Sequence, residues 1–257
     1  MSKKSVLNTF YAIIVVLVLL SIASITVESR QRIELSGLRN SGAVVEVNQN
    51  KGKFDYARCS AKTQAVLADF NGLLGSLERV VIHNDTSLRR GLSNDTVIYL
   101  RCLDNMVELE NVLVHEIGHV IDLGYLVDTK ADYKSQFTDF GKAIDMSDPS
   151  VYFYNISWES NQVLGSETNK YDFVSDYAMT DPFEDFAESL IVYRNYGAYF
   201  RKLISDRKSE ALEYKYDFIK TKIFNGVEFD GSNYVALSSM DTTSSTLYDA
   251  TKLYQVK

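Results

Sequence analysis

The segment NVLVHEIGHVIDLG, residues 111–124, places two of the chain's three histidines four positions apart, with a glutamate directly after the first. On an α-helix, side chains four residues apart lie one turn from each other on the same face, so His115 and His119 can bind a single Zn²⁺ ion at about 2.0–2.1 Å. Glu116 is offset from that face, where it can take a proton from water that zinc has acidified. This HExxH pattern predicts a zinc-binding catalytic helix, and an amphipathic helix with two surface histidines is the alternative.

The residues around this motif predict that it lies in a helix that follows a strand. TVIYLRC, residues 96–102, is a β-branched and aromatic run of strand length. Asn105 is then placed as a helix N-cap, with Glu108 three residues later in a capping-box pattern. Gly124 supplies a helix stop.

A catalytic zinc site uses three protein ligands and leaves one position open. The third histidine, His83, ends another predicted strand, so we expect the third ligand to be a carboxylate from later in the chain. SDYAMTDPFEDFAES, residues 175–189, offers Glu184 and Glu188 one turn apart on a helix that begins near Pro182.

HEIGHVID followed by a tyrosine and then EDFAE is similar to the lethal-factor-like zinc metalloproteases, which include the clostridial Pro-Pro endopeptidases. In that family a tyrosine lies seven residues before the ligand glutamate, and Tyr177 and Glu184 have this spacing. The resemblance implies Glu184 as the third zinc ligand and Tyr177 as the hydroxyl donor to the oxyanion. Ala178 stands where relatives often have glycine, and the His119–Glu184 interval is longer, so proline specificity is not carried over.

Two further carboxylates are expected to orient the ligand histidines without binding the metal. Glu188 matches the later acid of the family pattern, one turn beyond Glu184. Asp122 would share a helical face with His115 and His119. A carboxylate that accepts the second ring N–H of a ligand histidine fixes its tautomer and orientation.

Residues 1–30 are predicted to be a signal peptide or an N-terminal membrane anchor. Lys3 and Lys4 precede an uncharged apolar run over residues 10–27, which as a helix would span roughly 27 Å. A cleaved signal is equally consistent with Ser21-Ile22-Ala23 as a cleavage site. Both alternatives place the remaining chain outside the cytoplasm, secreted, periplasmic or tethered to the membrane.

The chain has two cysteines, Cys59 and Cys102, 43 residue steps apart. In an exported chain we expect them to form a disulfide, with two buried thiols as the alternative. Neither belongs to a CxxC pair, so the cysteines do not suggest a zinc site.

The 257 residues carry a net charge of −7 and no basic stripe, which argues against a nucleic-acid partner. We expect an α+β, zincin-like fold over residues 31–225, with a small twisted sheet, the HExxH helix and a helical C-terminal part. Residues 125–170 suggest loops with one short helix around YKSQFTDFGKAI, residues 133–144. Residues 226–257, rich in Ser, Thr and Asp, suggest a surface tail.

These observations predict a zinc-dependent metalloendopeptidase with one zinc per chain and a peptide or protein substrate. A non-catalytic zincin-fold binding module is one alternative, and a zinc hydrolase acting on a cell-wall cross-link is the other. The sequence gives no indication of the oligomeric state.

Overall fold

The structure, a computed structural model, describes residues 43–47, 55–94, 96–127, 133–231 and 247–255. The predicted signal peptide or anchor, residues 1–30, lies outside this part of the chain. Of the helices within it, none has both the length and the apolar character needed to cross a bilayer.

The fold is a mixture of helices and small sheets. Its α-helices are α1 (Tyr56–Asp69), α2 (Met106–Val120), α3 (Pro149–Tyr154), α4 (Pro182–Arg207) and α5 (Glu210–Phe218). Its strands are β1 (Val44–Val47), β2 (Arg79–His83), β3 (Gly91–Ser93), β4 (Val97–Arg101), β5 (Lys134–Asp139), β6 (Lys142–Asp145), β7 (Trp158–Ser160) and β8 (Val163–Leu164). Short π and 3₁₀ turns cover Ile121–Tyr125, Lys170–Asp172, Tyr177–Met179, Ile219–Ile223 and Ala250–Gln255.

The largest sheet has the strand order β1-β2-β4-β3. Strands β1, β2 and β4 are parallel, and α1 forms the crossover between β1 and β2. The apolar faces of β2 and β4 are fully buried, as shown by Val80, Ile82, Ile98 and Leu100. Strand β3 pairs antiparallel with β4 and forms the edge of this sheet.

Helix α2 begins as its sequence predicts, because the Asn105 side chain accepts hydrogen bonds from two amides of the first turn. It packs most extensively on α4. At Gly118 the two helices approach so closely that an added Cβ would lie 2.8 Å from the Cα of Ala187. This contact sets the distance between the histidine-bearing and glutamate-bearing helices.

The prediction of a helix over residues 133–144 is wrong, because strands β5 and β6 form a hairpin there. In β5, Ser135 and Phe137 are buried and alternate with more exposed neighbours, which is the two-residue period of a strand. The turn is made by Phe140 and Gly141, both at positive φ. Phe140 is 93% exposed at the tip of the hairpin.

The prediction of a surface tail does not describe residues 247–253. Ala250 and Leu253 are buried, and Leu247 pairs with Ser175 in a parallel β-bridge. These three apolar residues recur every third position, the period of the 3₁₀ helix Ala250–Gln255. A period of three in a Ser/Thr-rich sequence is easily read as a loop.

Cys59 and Cys102 form a disulfide that joins α1 to the end of β4, with their Cα atoms 5.7 Å apart. Both side chains are buried in the core.

Candidate metal centre and cleft

His115 and His119 lie in the last two turns of α2 and face the same side. Their Nε2 atoms are 3.3 Å apart. The His115 side chain is 10% exposed and that of His119 is 19% exposed. Both rings are therefore held by the surrounding packing, with one edge open to the cleft.

Glu184 brings a carboxylate to the same point from the first turn of α4. This helix begins at Pro182, and the Asp181 side chain caps it by accepting from the amides of Phe183 and Glu184. Oε2 of Glu184 lies 3.0 Å from Nε2 of His115 and 3.6 Å from Nε2 of His119.

The three ligand atoms fit a tetrahedral ion. Their separations of 3.0, 3.3 and 3.6 Å bracket the edge of about 3.3 Å expected for a tetrahedron with bonds of about 2.05 Å. Oε2 of Glu184 is buried and makes no well-formed hydrogen bond to any described residue. This oxygen and the two imidazole nitrogens together form a set of three donor atoms that could bind a metal cation.

Glu188 fixes the tautomer of His115. Its Oε1 lies 3.1 Å from Nδ1 of His115, and because a carboxylate only accepts, Nδ1 carries a proton and Nε2 is the nitrogen that can bind an ion. Glu188 is completely buried and accepts from Ser175 Oγ and the Ala250 amide, each at 2.6 Å.

The same contacts shift the pKa values of the ligands. Burial lowers the pKa of His115, but the facing carboxylates of Glu184 and Glu188 outweigh that effect and hold the pKa well above its ordinary value. Burial raises the pKa of Glu184, but its contacts with the two histidines outweigh that effect and hold the pKa well below its ordinary range. The centre is thus an electrostatically coupled group in which the Glu184 carboxylate stays ionised.

Glu116, the predicted base, is 6% exposed and is held from the edge strand β3. Ser93 Oγ donates a 2.7 Å hydrogen bond to its Oε2. Gly91 packs so closely on it that an added Cβ would meet Oε1 at 2.3 Å. Strand β3 therefore fixes the position of the carboxylate.

Tyr177 lies in the 3₁₀ turn Tyr177–Met179, and its hydroxyl donates to Oε1 of Glu184 at 3.2 Å. Its ring centroid is 6.1 Å from that of His115. Burial, together with the Glu184 charge, raises the pKa of Tyr177, so the hydroxyl keeps its proton at neutral pH. It is available as a neutral hydrogen-bond donor beside the centre.

Asp122 is buried in the π turn Ile121–Tyr125, three residues after His119, and the charge of His119 acts on it. Its Oδ2 accepts from Tyr154 at 2.7 Å, and its buried Oδ1 has no hydrogen-bond partner in the described part of the chain. Its expected role in orienting a ligand histidine stays a prediction.

His83 also stays apart from the centre, as the sequence indicates. It is buried at the end of β2, where its Nδ1 accepts from the Asp85 amide at 3.2 Å. Burial lowers its pKa, and the Arg101 charge adds to this effect.

A cleft of about 730 Å³ opens over the centre. Its walls include the edge strand β3, the tip of the β5–β6 hairpin and residues 248–252. Leu92, Phe140 and Tyr248 expose large apolar side chains there. The centre thus lies on the floor of a groove large enough for several residues of an extended chain.

Sequence reasoning did not find four residues that hold the site: Gly91, Ser93, Ser175 and Ala250. The first two lie in a stretch that reads as a loop, since β3 is only three residues long. Ser175 carries no local signal, and Ala250 acts through its backbone amide, which every residue but proline has.

Comparisons with known proteins give no family for the chain. No family model matches it, and neither a curated protein nor a solved structure matches it. What the chain does is therefore inferred from the geometry of the site itself.

Proposed function

We propose that the chain is a zinc-dependent metalloendopeptidase of the glutamate-ligand zincin type, with one zinc per chain. The observation that carries the proposal is the convergence of His115, His119 and Glu184 within 3.0–3.6 Å, with Glu116 beside them. Two imidazoles and one carboxylate, with a fourth position open to a cleft, are the donor set of catalytic zinc. A zinc ion held there supplies Lewis acidity, which polarises the scissile carbonyl and lowers the pKa of water.

Side chains of the protein carry out the proton transfers and stabilise the oxyanion. Glu116 takes a proton from the attacking water and later delivers it to the leaving amine. Ser93 holds the carboxylate for this task through its 2.7 Å hydrogen bond. The Tyr177 hydroxyl, which keeps its proton, donates to the oxyanion that develops on the substrate carbonyl.

A peptide substrate is supported by the form of the cleft. Strand β3 is the edge of its sheet and lines the groove beside Glu116. An extended peptide can add to such an edge through main-chain hydrogen bonds, while the exposed apolar side chains of the groove contact its side chains. This mode of binding would bring successive peptide carbonyls past the metal centre.

We propose that the protein acts outside the cytoplasm. The charged and apolar pattern of residues 1–30 supports this location. The Cys59–Cys102 disulfide supports it independently, because such bonds persist mainly in oxidising compartments.

The test compares two glutamate substitutions in the purified protein. Glu116→Gln is expected to keep one zinc and lose turnover, because it removes the base but no ligand. Glu184→Ala is expected to lose both. Glu213→Gln, at an exposed position of α5, is the matched control and should behave as wild type. Zinc is measured by elemental analysis and turnover with a mixed peptide library.

Two results would contradict the proposal. Wild-type protein that takes up no zinc, with or without added zinc, would remove the metal centre. Zinc-loaded protein that hydrolyses purified cell-wall fragments but no peptide would replace the endopeptidase with a wall hydrolase.

A further inference from the structure

Residues 247–253, which we call the C-terminal strap, contact the support of the metal centre from the far end of the chain. We infer that the strap is a positioning element of the active site, which holds Tyr177 and Glu188 in place. The inference rests on the proposed function, since that function gives these two side chains their roles. It goes beyond that function by assigning part of the site to a segment with no ligand and no base.

The strap first pairs with the backbone that carries Tyr177. The Asp176 amide donates to the Leu247 carbonyl at 2.6 Å, and the Tyr177 amide donates to the Tyr248 carbonyl at 2.8 Å. These parallel contacts begin at the bridge between Ser175 and Leu247. The tyrosine lies in a one-turn 3₁₀ segment, which has little rigidity of its own, so the direction of its hydroxyl depends on this pairing.

The strap next supplies a donor to the carboxylate that orients His115. The Ala250 amide is 2.6 Å from Oε2 of Glu188, and both residues are completely buried. A buried carboxylate needs such donors, because it has lost its hydration. Without this one, Glu188 would reorganise around its remaining partners, Ser175 and His115.

The strap is itself anchored to elements around the cleft. Arg90, directly before β3, donates to Glu108 at 2.7 Å and to Asp249 at 2.9 Å. Asn111 of α2 donates to the Thr251 carbonyl at 3.2 Å. The strap therefore connects the edge strand, the histidine helix and the tyrosine turn.

A strap that only stabilised the fold would affect the free energy of unfolding and leave the properties of the centre alone. A positioning strap affects zinc affinity through Glu188 and His115, and it affects kcat through Tyr177. The two roles are separated by measuring zinc affinity in variants whose folding is checked independently.

The decisive variant is Ala250→Pro in the full-length chain. Proline replaces the amide proton with a ring carbon, so it removes the donor and also presses on the Glu188 carboxylate, and it is tolerated at the first position of a helix, where Ala250 lies. Ala250→Gly, which keeps the amide proton, is the matched control. We expect the zinc dissociation constant of the proline variant to exceed that of the glycine variant by about 10-fold or more, as for other partners behind a ligand histidine. The affinities are measured by competition with a chromophoric chelator, and folding is measured by thermal unfolding.

Equal zinc affinity in the folded proline and glycine variants would overturn the inference. If the proline variant does not fold, Asp249→Asn decides, because it removes the charge that pairs with Arg90 and keeps an oxygen that can accept from the Thr251 amide and hydroxyl. We expect it to lower kcat by about 5- to 10-fold as Tyr177 loses its fixed position, with KM changed less than twofold. Glu228→Gln, which breaks an exposed ion pair with Lys220, is its control. An unchanged kcat in Asp249→Asn would likewise overturn the inference.

These readouts also separate the two proposals. If wild-type protein binds zinc but cleaves no peptide, the endopeptidase proposal fails, while the ratio of zinc affinities still tests the strap. If wild type cleaves peptides and the variants match their controls, only the strap inference fails.

Discussion

Replacing Gly91 by alanine places a single methyl group against the predicted base. Gly91 is not among the glycines at positive φ, so its backbone conformation accepts alanine. The added Cβ would lie 2.3 Å from Oε1 and 2.8 Å from Cγ of Glu116, and 2.8 Å from Cγ1 of Val112. The carboxylate at the end of the Glu116 side chain is the more mobile of these neighbours, so we expect it to move away from the added methyl group.

The size of the movement follows from these contacts. An ordinary contact of 3.4 Å exceeds the 2.3 Å available by 3.4 − 2.3 = 1.1 Å. A shift of about this size can stretch the 2.7 Å hydrogen bond from Ser93 beyond its range. Because a misplacement of about 1 Å in a catalytic group can cost about 10²-fold, we expect kcat to fall about 100-fold, equivalent to about 2.7 kcal/mol.

The assay measures steady-state kinetics and zinc content of Gly91→Ala. Gly75→Ala is the matched control, because Gly75 has no atom within 4 Å of an added Cβ and is not at positive φ. Zinc should remain bound in both variants, since neither glycine contacts a ligand. Wild-type kcat in Gly91→Ala would refute the reasoning that β3 fixes the base. Loss of zinc would show that the strand supports the ligands instead.

Three further perturbations test other parts of the structure. Tyr177→Phe should keep zinc while kcat falls about 10²–10³-fold, the cost of one lost oxyanion donor, and kinetics within threefold of wild type would contradict its role. Reducing the Cys59–Cys102 bond, which closes a 43-residue separation, should lower the free energy of unfolding by up to about 4 kcal/mol in urea titrations, and equal curves before and after reduction would contradict this. Burial raises the pKa of Asp122 to about 7 from 3.8, so in metal-free protein the folded state keeps a proton that the unfolded state releases, and stability falls as pH rises from about 4 to 7. Asp122→Asn lacks this loss, so it should gain about 2.7 kcal/mol on wild type between urea titrations at pH 5 and pH 8, the part that falls between pH 5 and the pKa of about 7; a constant difference would show that Asp122 ionises without cost.

The two histidines of the candidate centre could be predicted from local rules, whereas the choice of Glu184 over Glu188 came from the family resemblance. An α-helix sets the geometry of residues four apart, so the positions of His115 and His119 follow from their spacing alone. Proline and an aspartate cap set the start of α4, which fixes the turn from which Glu184 projects. The π turn at Ile121–Tyr125, which begins just after the motif, could not be predicted by the same rule.

The support of the site could not be predicted, because it depends on pairings between distant segments. Strand β3 has only three residues, too few for an alternating pattern to be recognised in the sequence. It nevertheless places the Ser93 hydroxyl within hydrogen-bond distance of Glu116. The strap meets Glu188 across 62 positions of sequence and uses a backbone amide. Backbone donors leave no signature in a sequence, since nearly every residue has one.

The two supports act on different parts of the proposed reaction. Strand β3 contacts Glu116 through Ser93 and Gly91, so its variants should change turnover more than zinc affinity. The strap contacts Glu188, which orients His115, so its variants should change zinc affinity as well. Arg90 is adjacent to β3 and pairs with Asp249, and it therefore connects the two supports at the rim of the cleft. A substrate that adds to the edge of β3 would bind next to this ion pair.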